Sequence, residues 1–312
     1  MDTIQRYNAV FEGGGIRGIG IIGALKFLHK CNIEWENFAG TSVGSIIAAL
    51  LAANYTPQEM QDILSEINYL DFLDTENLHR VPLIGKHLSV LKEKGIYSGE
   101  YFENWIKELL MKKEIVTFED VSYNGISKLK IMATDITLKR KLLLPDDLIY
   151  YGIDPMKFEI AKAIRMSISI PFYFKPVKFQ YSNNFSYIVD GAVCCNYPLR
   201  IFDDKNKYSQ PTLGFKFMNS DLSLTSQGKT DAMSFLMDIT STMATVSHDQ
   251  ILTKEDEERT IFIPTNGVDA TDFNISKQKS IDLFKVGYKA ASLFWSNTIE
   301  NEVTDENTTT AS

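Results

Sequence analysis

Cysteine and histidine are scarce in this chain of 312 residues, which has three cysteines (Cys31, Cys194 and Cys195) and four histidines (His29, His79, His87 and His248). An odd cysteine count with two neighbours makes no disulfide framework and suits a reducing compartment. Cys194 and Cys195 have no metal-ligand pattern around them and read as small packing residues, so neither a metal site nor an organic cofactor is expected. Long apolar runs are also missing. The longest, around residues 46–53, falls far short of the roughly 20 residues that a bilayer span requires, so no transmembrane segment is expected. Residues 1–8 lead into an apolar strand without the hydrophobic core of a signal peptide, which argues against Sec-type secretion. Basic charge is not in excess either: 32 Lys and Arg stand against 40 Asp and Glu, for a net charge of −8. That balance argues against a broad nucleic-acid surface and against generic attraction to anionic bilayers. There is no internal repeat.

With 44% hydrophobic and 23% charged residues the chain has the composition of an ordinary globular protein, long enough to bury a sizeable core. Apolar strands are expected at 9–11, 38–40, 130–134, 142–144, 187–189, 212–217 and 261–264. Helices are expected at 18–29, 42–54, 100–111, 155–167 behind an Asp154 cap, 231–252 and 276–295. Thr56-Pro57-Gln58-Glu59 combines a capping box with proline at the first helical position, and starts another helix. The alternation implies one α/β domain over residues 1–300, three layers deep with a mainly parallel central sheet. The polar residues 301–312 form a tail expected to be disordered.

Two segments each place a helix start directly after a strand. Gly13-Gly14-Gly15-Ile16-Arg17-Gly18 offers backbone N–H groups free of side chains, which suits an anion or a developing oxyanion at a helix N-terminus. Gly40-Thr41-Ser42-Val43-Gly44 has the G-x-S-x-G spacing of a nucleophile elbow. Each pattern alone is common, and the first also fits a dinucleotide loop through Gly13, Gly15 and Gly18. A dinucleotide fold would want an acid ending the second strand, where Gly40-Thr41-Ser42 stands instead. Together the two segments supply donors and a nucleophile for acyl transfer. For the base, only His248 follows Ser42 and a mid-chain acid in the order of an α/β-hydrolase triad, and it lies on a polar helix face. Asp190 is the other choice: it ends the strand 187–189 and is followed by the small residues Gly191 and Ala192. Asp135, at another strand end, reads as a turn-forming aspartate.

These residues resemble the patatin-like phospholipases. The glycine-rich segment matches the family's oxyanion loop, Gly40 to Gly44 its elbow, and Asp190-Gly191-Ala192 its D-G-G/A element. The segment 163–172, Asn196-Tyr197-Pro198 and the stretches 273–276 and 287–291 are similar too, so the likeness covers about residues 8–295. The resemblance implies a histidine-free dyad for lipid ester hydrolysis, with Ser42 as nucleophile and Asp190 as base. The amides of Gly14, Gly15 and Ile16 would form the oxyanion hole, supported by Gly13, Arg17, Gly18, Gly40, Gly44 and Gly191. Arg17 would hold a lipid phosphate or fix the loop through a carboxylate. The implied partners are a lipid substrate and a transient membrane surface, with a protein activator left open. The implied location is cytoplasmic or peripheral to membranes, with export by a non-classical route left open. Residues 70–98, apolar and basic, read as a packed connector or a mobile cap. Met233, Met237 and Met243 read as core filler or as acyl-pocket lining.

Overall fold

The structure is a computed structural model that describes residues 5–73, 94–218, 242 and 252–309, with side chains described as far as residue 298. His248, the methionine-bearing helix and most of segment 70–98 lie outside the described residues. In chain order the strands are β1 (Gln5–Phe11), β2 (Ile33–Thr41), β3 (Gly95–Tyr97), β4 (Ser122–Tyr123), β5 (Ile126–Ser127), β6 (Leu129–Asp135), β7 (Arg140–Leu144), β8 (Phe172–Phe174), β9 (Val177–Tyr181), β10 (Asn184–Asp190), β11 (Thr212–Met218) and β12 (Thr260–Pro264). The helices are α1 (Gly18–Lys30), α2 (Val43–Ala52), α3 (Pro57–Glu66), α4 (Glu100–Lys112), α5 (Ile160–Ser167), α6 (Lys254–Glu258) and α7 (Lys277–Thr309).

Eight strands make the central sheet. Its order β12-β11-β1-β2-β6 is parallel throughout, and β7, β10 and β9 add antiparallel pairs around β6. Both faces are covered, as a buried parallel sheet requires. Side chains alternate along β1 and β2. Ala9, Phe11 and Phe38 enter the main core with α1 and α2, while Val10 and Ala39 enter a smaller one closed by Tyr197, Leu199, Phe202 and Tyr208. The 3-10 turn Leu199–Phe202 lies on that second face.

The capping box forms as expected: the Thr56 hydroxyl accepts from the Glu59 amide at 3.2 Å, and the Glu59 carboxylate from the Thr56 amide at 2.7 Å. Two helix boundaries differ from expectation. The helix expected to start at residue 155 behind Asp154 begins only at Ile160, because residues 159–160 are engaged elsewhere. Glu159 bridges to Thr117, and the Ile160 amide donates to the Val116 carbonyl at 3.0 Å. Asp154 accepts from Met156 in a local turn instead. The last helix runs to Thr309, well past residue 295, and so takes in residues 301–309, whose composition points to disorder. An established helix gains one hydrogen bond per residue added, and residues 296–309 contain no glycine or proline to stop it. No helix among the described residues is long and apolar enough to cross a membrane.

Candidate active site

Strands β2 and β10 approach the same edge of β6 from opposite directions. β2 runs parallel to β6, and its last residue, Thr41, pairs with Met132. β10 runs antiparallel, and its last residue, Asp190, pairs with Ala133. β7 occupies the other edge over the same stretch. The two chain ends thus stop at consecutive residues of one strand, and Ser42, next after Thr41, faces Asp190.

Ser42 caps α2 with φ 52° and ψ −125°, in the left-handed region that side chains avoid. Neighbouring bonds hold it there. Its amide donates to the Ser167 hydroxyl at 2.9 Å, and that hydroxyl donates to the Met132 carbonyl at 2.6 Å. The flanking glycines allow close approach, since a Cβ on Gly40 would overlap the Gly44 backbone, and one on Gly44 the Phe11 carbonyl. The sharp turn and the tight seat of α2 on β1 and β2 therefore have one cause.

Asp190 is buried, 2% exposed. Its amide donates to the Ser169 carbonyl at 2.9 Å, and its carboxylate accepts from the Ala192 amide at 2.8 Å, at the start of the 3-10 turn Gly191–Val193. The Ser42 hydroxyl is hydrogen-bonded to the same carboxylate. Burial pushes the Asp190 carboxyl up to about 7, against the opposing pull of the Ala192 and Ser42 bonds. An aspartate poised there is a far better proton acceptor at neutral pH than one at its ordinary value. The sequence alone offered only geometry to compensate for a weak base.

The glycine loop is pinned on both sides. The Gly13 amide donates to the Asn196 carbonyl at 3.1 Å, and the Asn196 side chain donates back to the Gly13 carbonyl at 3.2 Å. Arg17 Nε donates to the Val268 carbonyl at 2.9 Å, and burial lowers the guanidinium's pKa against the opposing charges of Asp269 and Glu12. Arg17 is thus engaged as a fastener of the loop on which Gly18 opens α1. The Ile16 amide, expected as an oxyanion donor, is not available: it donates to the Ala270 carbonyl at 3.0 Å. The Gly14 and Gly15 amides have no acceptor among the described residues. The Val43 amide, first in α2, has no intrahelical acceptor either.

Gly15 has φ +55°, and a Cβ there would overlap the Ala270 carbonyl oxygen. Gly15→Ala is expected to introduce about 1–2 kcal/mol of left-handed strain before any overlap is relieved. Ester turnover should fall with little change in far-UV circular dichroism; turnover equal to wild type would mean that the loop tolerates displacement.

Three residues of the site were not recognised from the sequence. Ser167 and Ser169 lie in the segment 163–172, which is apolar but for them and Arg165, and that polarity was the signal available. Glu12, buried just before the loop, accepts from Lys216 Nζ at 2.5 Å and from the Phe217 amide at 2.6 Å, joining the loop to β11. Asp135 does what its position implied: it accepts from the Thr137 and Leu138 amides at 2.9 and 2.8 Å and from the Tyr151 hydroxyl at 2.6 Å.

A cavity of about 100 Å³, almost purely apolar, opens beside Ser42. One face of α2 lines it with Val43, Ile46, Ile47 and Leu50, and Phe102 and Trp105 of α4 face them. From Ser42 to Leu50 the helix advances about 12 Å. An extended hydrocarbon chain with 1.52 Å bonds and angles near 111° covers that distance in about ten carbons.

Comparisons with known proteins bear on the family and the fold. The family model described as Patatin-like phospholipase matches residues 9–203. The uncharacterized protein YqhO of Bacillus subtilis is 32% identical over 288 residues, covering 92% of this chain and 97% of YqhO. The probable lipid hydrolase 463L of Invertebrate iridescent virus 6 is 33% identical over 195 residues, 62% of this chain and 61% of its own length. Among solved structures, VipD of Legionella pneumophila superposes with a TM-score of 0.56 at 16% identity, over 93% of this chain and 67% of VipD, a likeness of fold.

Proposed function

The chain belongs to the patatin-like phospholipase family and is a lipid acyl hydrolase, and from that premise we propose that Ser42 and Asp190 are its catalytic dyad. In this reading Ser42 Oγ attacks the acyl carbonyl carbon while its proton passes to the Asp190 carboxylate. The carbonyl oxygen takes the negative charge and is held by the Gly14 and Gly15 amides; losing one such donor typically costs about 3 kcal/mol of transition-state stabilisation. The intermediate collapses, the C–O bond to the leaving alcohol breaks, and Asp190 returns the proton to that oxygen. A water then gives a proton to Asp190 and attacks the acyl-enzyme. The fatty acid leaves as Ser42 takes the proton back, so one carboxylate serves both halves of the reaction.

The observation that carries this reading is the bond from the Ser42 hydroxyl to a carboxylate poised near 7, at the mouth of an apolar pocket. The family assignment sets aside the dinucleotide alternative. The test is fatty-acid release from phosphatidylcholine vesicles together with turnover of p-nitrophenyl butyrate. Release from both is expected; a folded protein that leaves both intact overturns the reading.

The pocket adds a prediction. Ile46 lies one helical turn from Ser42, so Ile46→Trp would fill the space beyond the first few carbons of an acyl chain. The ratio of kcat/KM for the octanoyl over the butyryl ester is expected to fall by about tenfold or more. An unchanged ratio would mean that the acyl chain lies elsewhere.

A further inference from the structure

A second and larger cavity, about 470 Å³, lies against the apolar pocket and shares Ile19, Leu64, Tyr69 and Phe273 with it as a common wall. Its size falls within the range of about 300–1,000 Å³ typical of ligand sites. Two helix faces form its sides. From α3 come Gln61, Leu64 and Ser65, and from α7 come Lys277, Ile281, Phe284 and Lys285. The α7 residues recur at the spacing that puts them on one face. The floor belongs to a small core of Ile16, Ile19, Val268 and Leu283, against which Leu64, Tyr69, Ile275 and Phe284 pack. The dividing Tyr69 is fixed, its hydroxyl donating to the Leu64 carbonyl at 3.2 Å and hydrogen-bonded to Ser280. Lys277 and Lys285 stand exposed on the rim, about 12 Å apart along the helix. Among the described residues neither is paired with a carboxylate.

A groove whose lining is apolar over most of its surface, with Gln61, Ser65, Asn68 and Ser280 among the apolar side chains and a cationic rim, separated by one wall from an apolar pocket beside a nucleophilic serine, matches a molecule with two hydrocarbon chains and an anionic head. We propose that this groove is the subsite for the second acyl chain of a diacyl, anionic phospholipid, whose first chain lies in the pocket beside Ser42. The proposal rests on the reading of Ser42 as nucleophile. The shared wall is what argues for a lipid chain over a protein segment, because a glycerol backbone astride it sends one chain to each side. The two lysines supply charge complementarity to the phosphate.

Two measurements test it. In the first, Ile281→Trp and Lys277→Glu/Lys285→Glu are assayed on dioleoyl-phosphatidylglycerol, on its lysolipid and on dioleoyl-phosphatidylcholine. Ile281→Trp is expected to lower kcat/KM for the diacyl lipid by about tenfold more than for the lysolipid, and Lys277→Glu/Lys285→Glu to lower it by about tenfold more for dioleoyl-phosphatidylglycerol than for dioleoyl-phosphatidylcholine. Equal losses of either variant on the two lipids that test it overturn the proposal. In the second, Ser42→Ala protein is irradiated with phosphatidylglycerol carrying a diazirine on the chain that is not cleaved, and the labelled peptide is mapped. Label within residues 61–70 or 273–285 is expected. Label elsewhere, with the wild type hydrolysing the lipid, overturns the groove and leaves the dyad standing. Label in the groove, with no hydrolysis by wild type, supports the subsite and refutes the dyad.

Discussion

Ser42→Ala is expected to lower ester turnover by about 10⁴-fold or more while leaving the fold intact, the scale on which other serine hydrolases respond to loss of their nucleophile. The fold should survive because the bonds that hold the elbow use backbone groups: the Ser42 amide on Ser167, and the Ser42 carbonyl, which accepts from the Ser45 amide at 2.9 Å. The substitution removes Oγ alone. With that hydroxyl gone, Asp190 loses one of the two bonds that favour its charged form, so its pKa rises further. Turnover within tenfold of wild type, in a folded variant, would assign the nucleophile to another residue.

Asp190→Asn is expected to separate activity from stability. Turnover should fall by about 10²–10⁴-fold, the usual contribution of a general base. Stability should move the other way above neutrality. The folded-state carboxyl titrates near 7 and the unfolded one near 3.8, so its favourable contribution is complete below about pH 4 and is lost as pH rises through 7. That displacement from 3.8 to about 7 corresponds to about 4 kcal/mol. Urea unfolding at several pH values checks it: the difference between Asp190→Asn and wild type should grow in the variant's favour from pH 4 to pH 8. A difference that does not change with pH would mean that Asp190 is not held in a desolvating site. The same ionisation sets the activity profile, and wild-type turnover should rise with pH through about 7.

Much of this site could be read from residue types at turns. Gly13 to Gly18 and Gly40 to Gly44 announce themselves because close backbone approach excludes side chains, and an aspartate ahead of Gly191 marks the end of a strand. What brings Ser42 to Asp190 was not readable, since that depends on β2 and β10 ending at neighbouring residues of β6, a register that no local pattern encodes. The fate of the Ile16 amide was hidden for a similar reason: its acceptor, Ala270, lies more than 250 residues away. Arg17 suited two roles equally, and the carbonyl that its Nε meets, Val268, lies 251 residues away, where no local pattern reports it. The poise of Asp190 follows from burial, which strand propensity does not report. In the fold, the parallel core was legible from apolar runs, whereas the start of α5 was not, because its backbone is claimed by residues 116–117 from another part of the chain.

The most direct test of the dyad is the rate at which a fluorophosphonate labels the protein, followed by intact mass and peptide mapping in wild type and Asp190→Asn. The account predicts a single adduct on Ser42, forming faster as pH rises through about 7 and slowed by about a hundredfold or more in Asp190→Asn. An adduct on another residue, or one that forms on Ser42 equally fast without the Asp190 carboxylate, would contradict it.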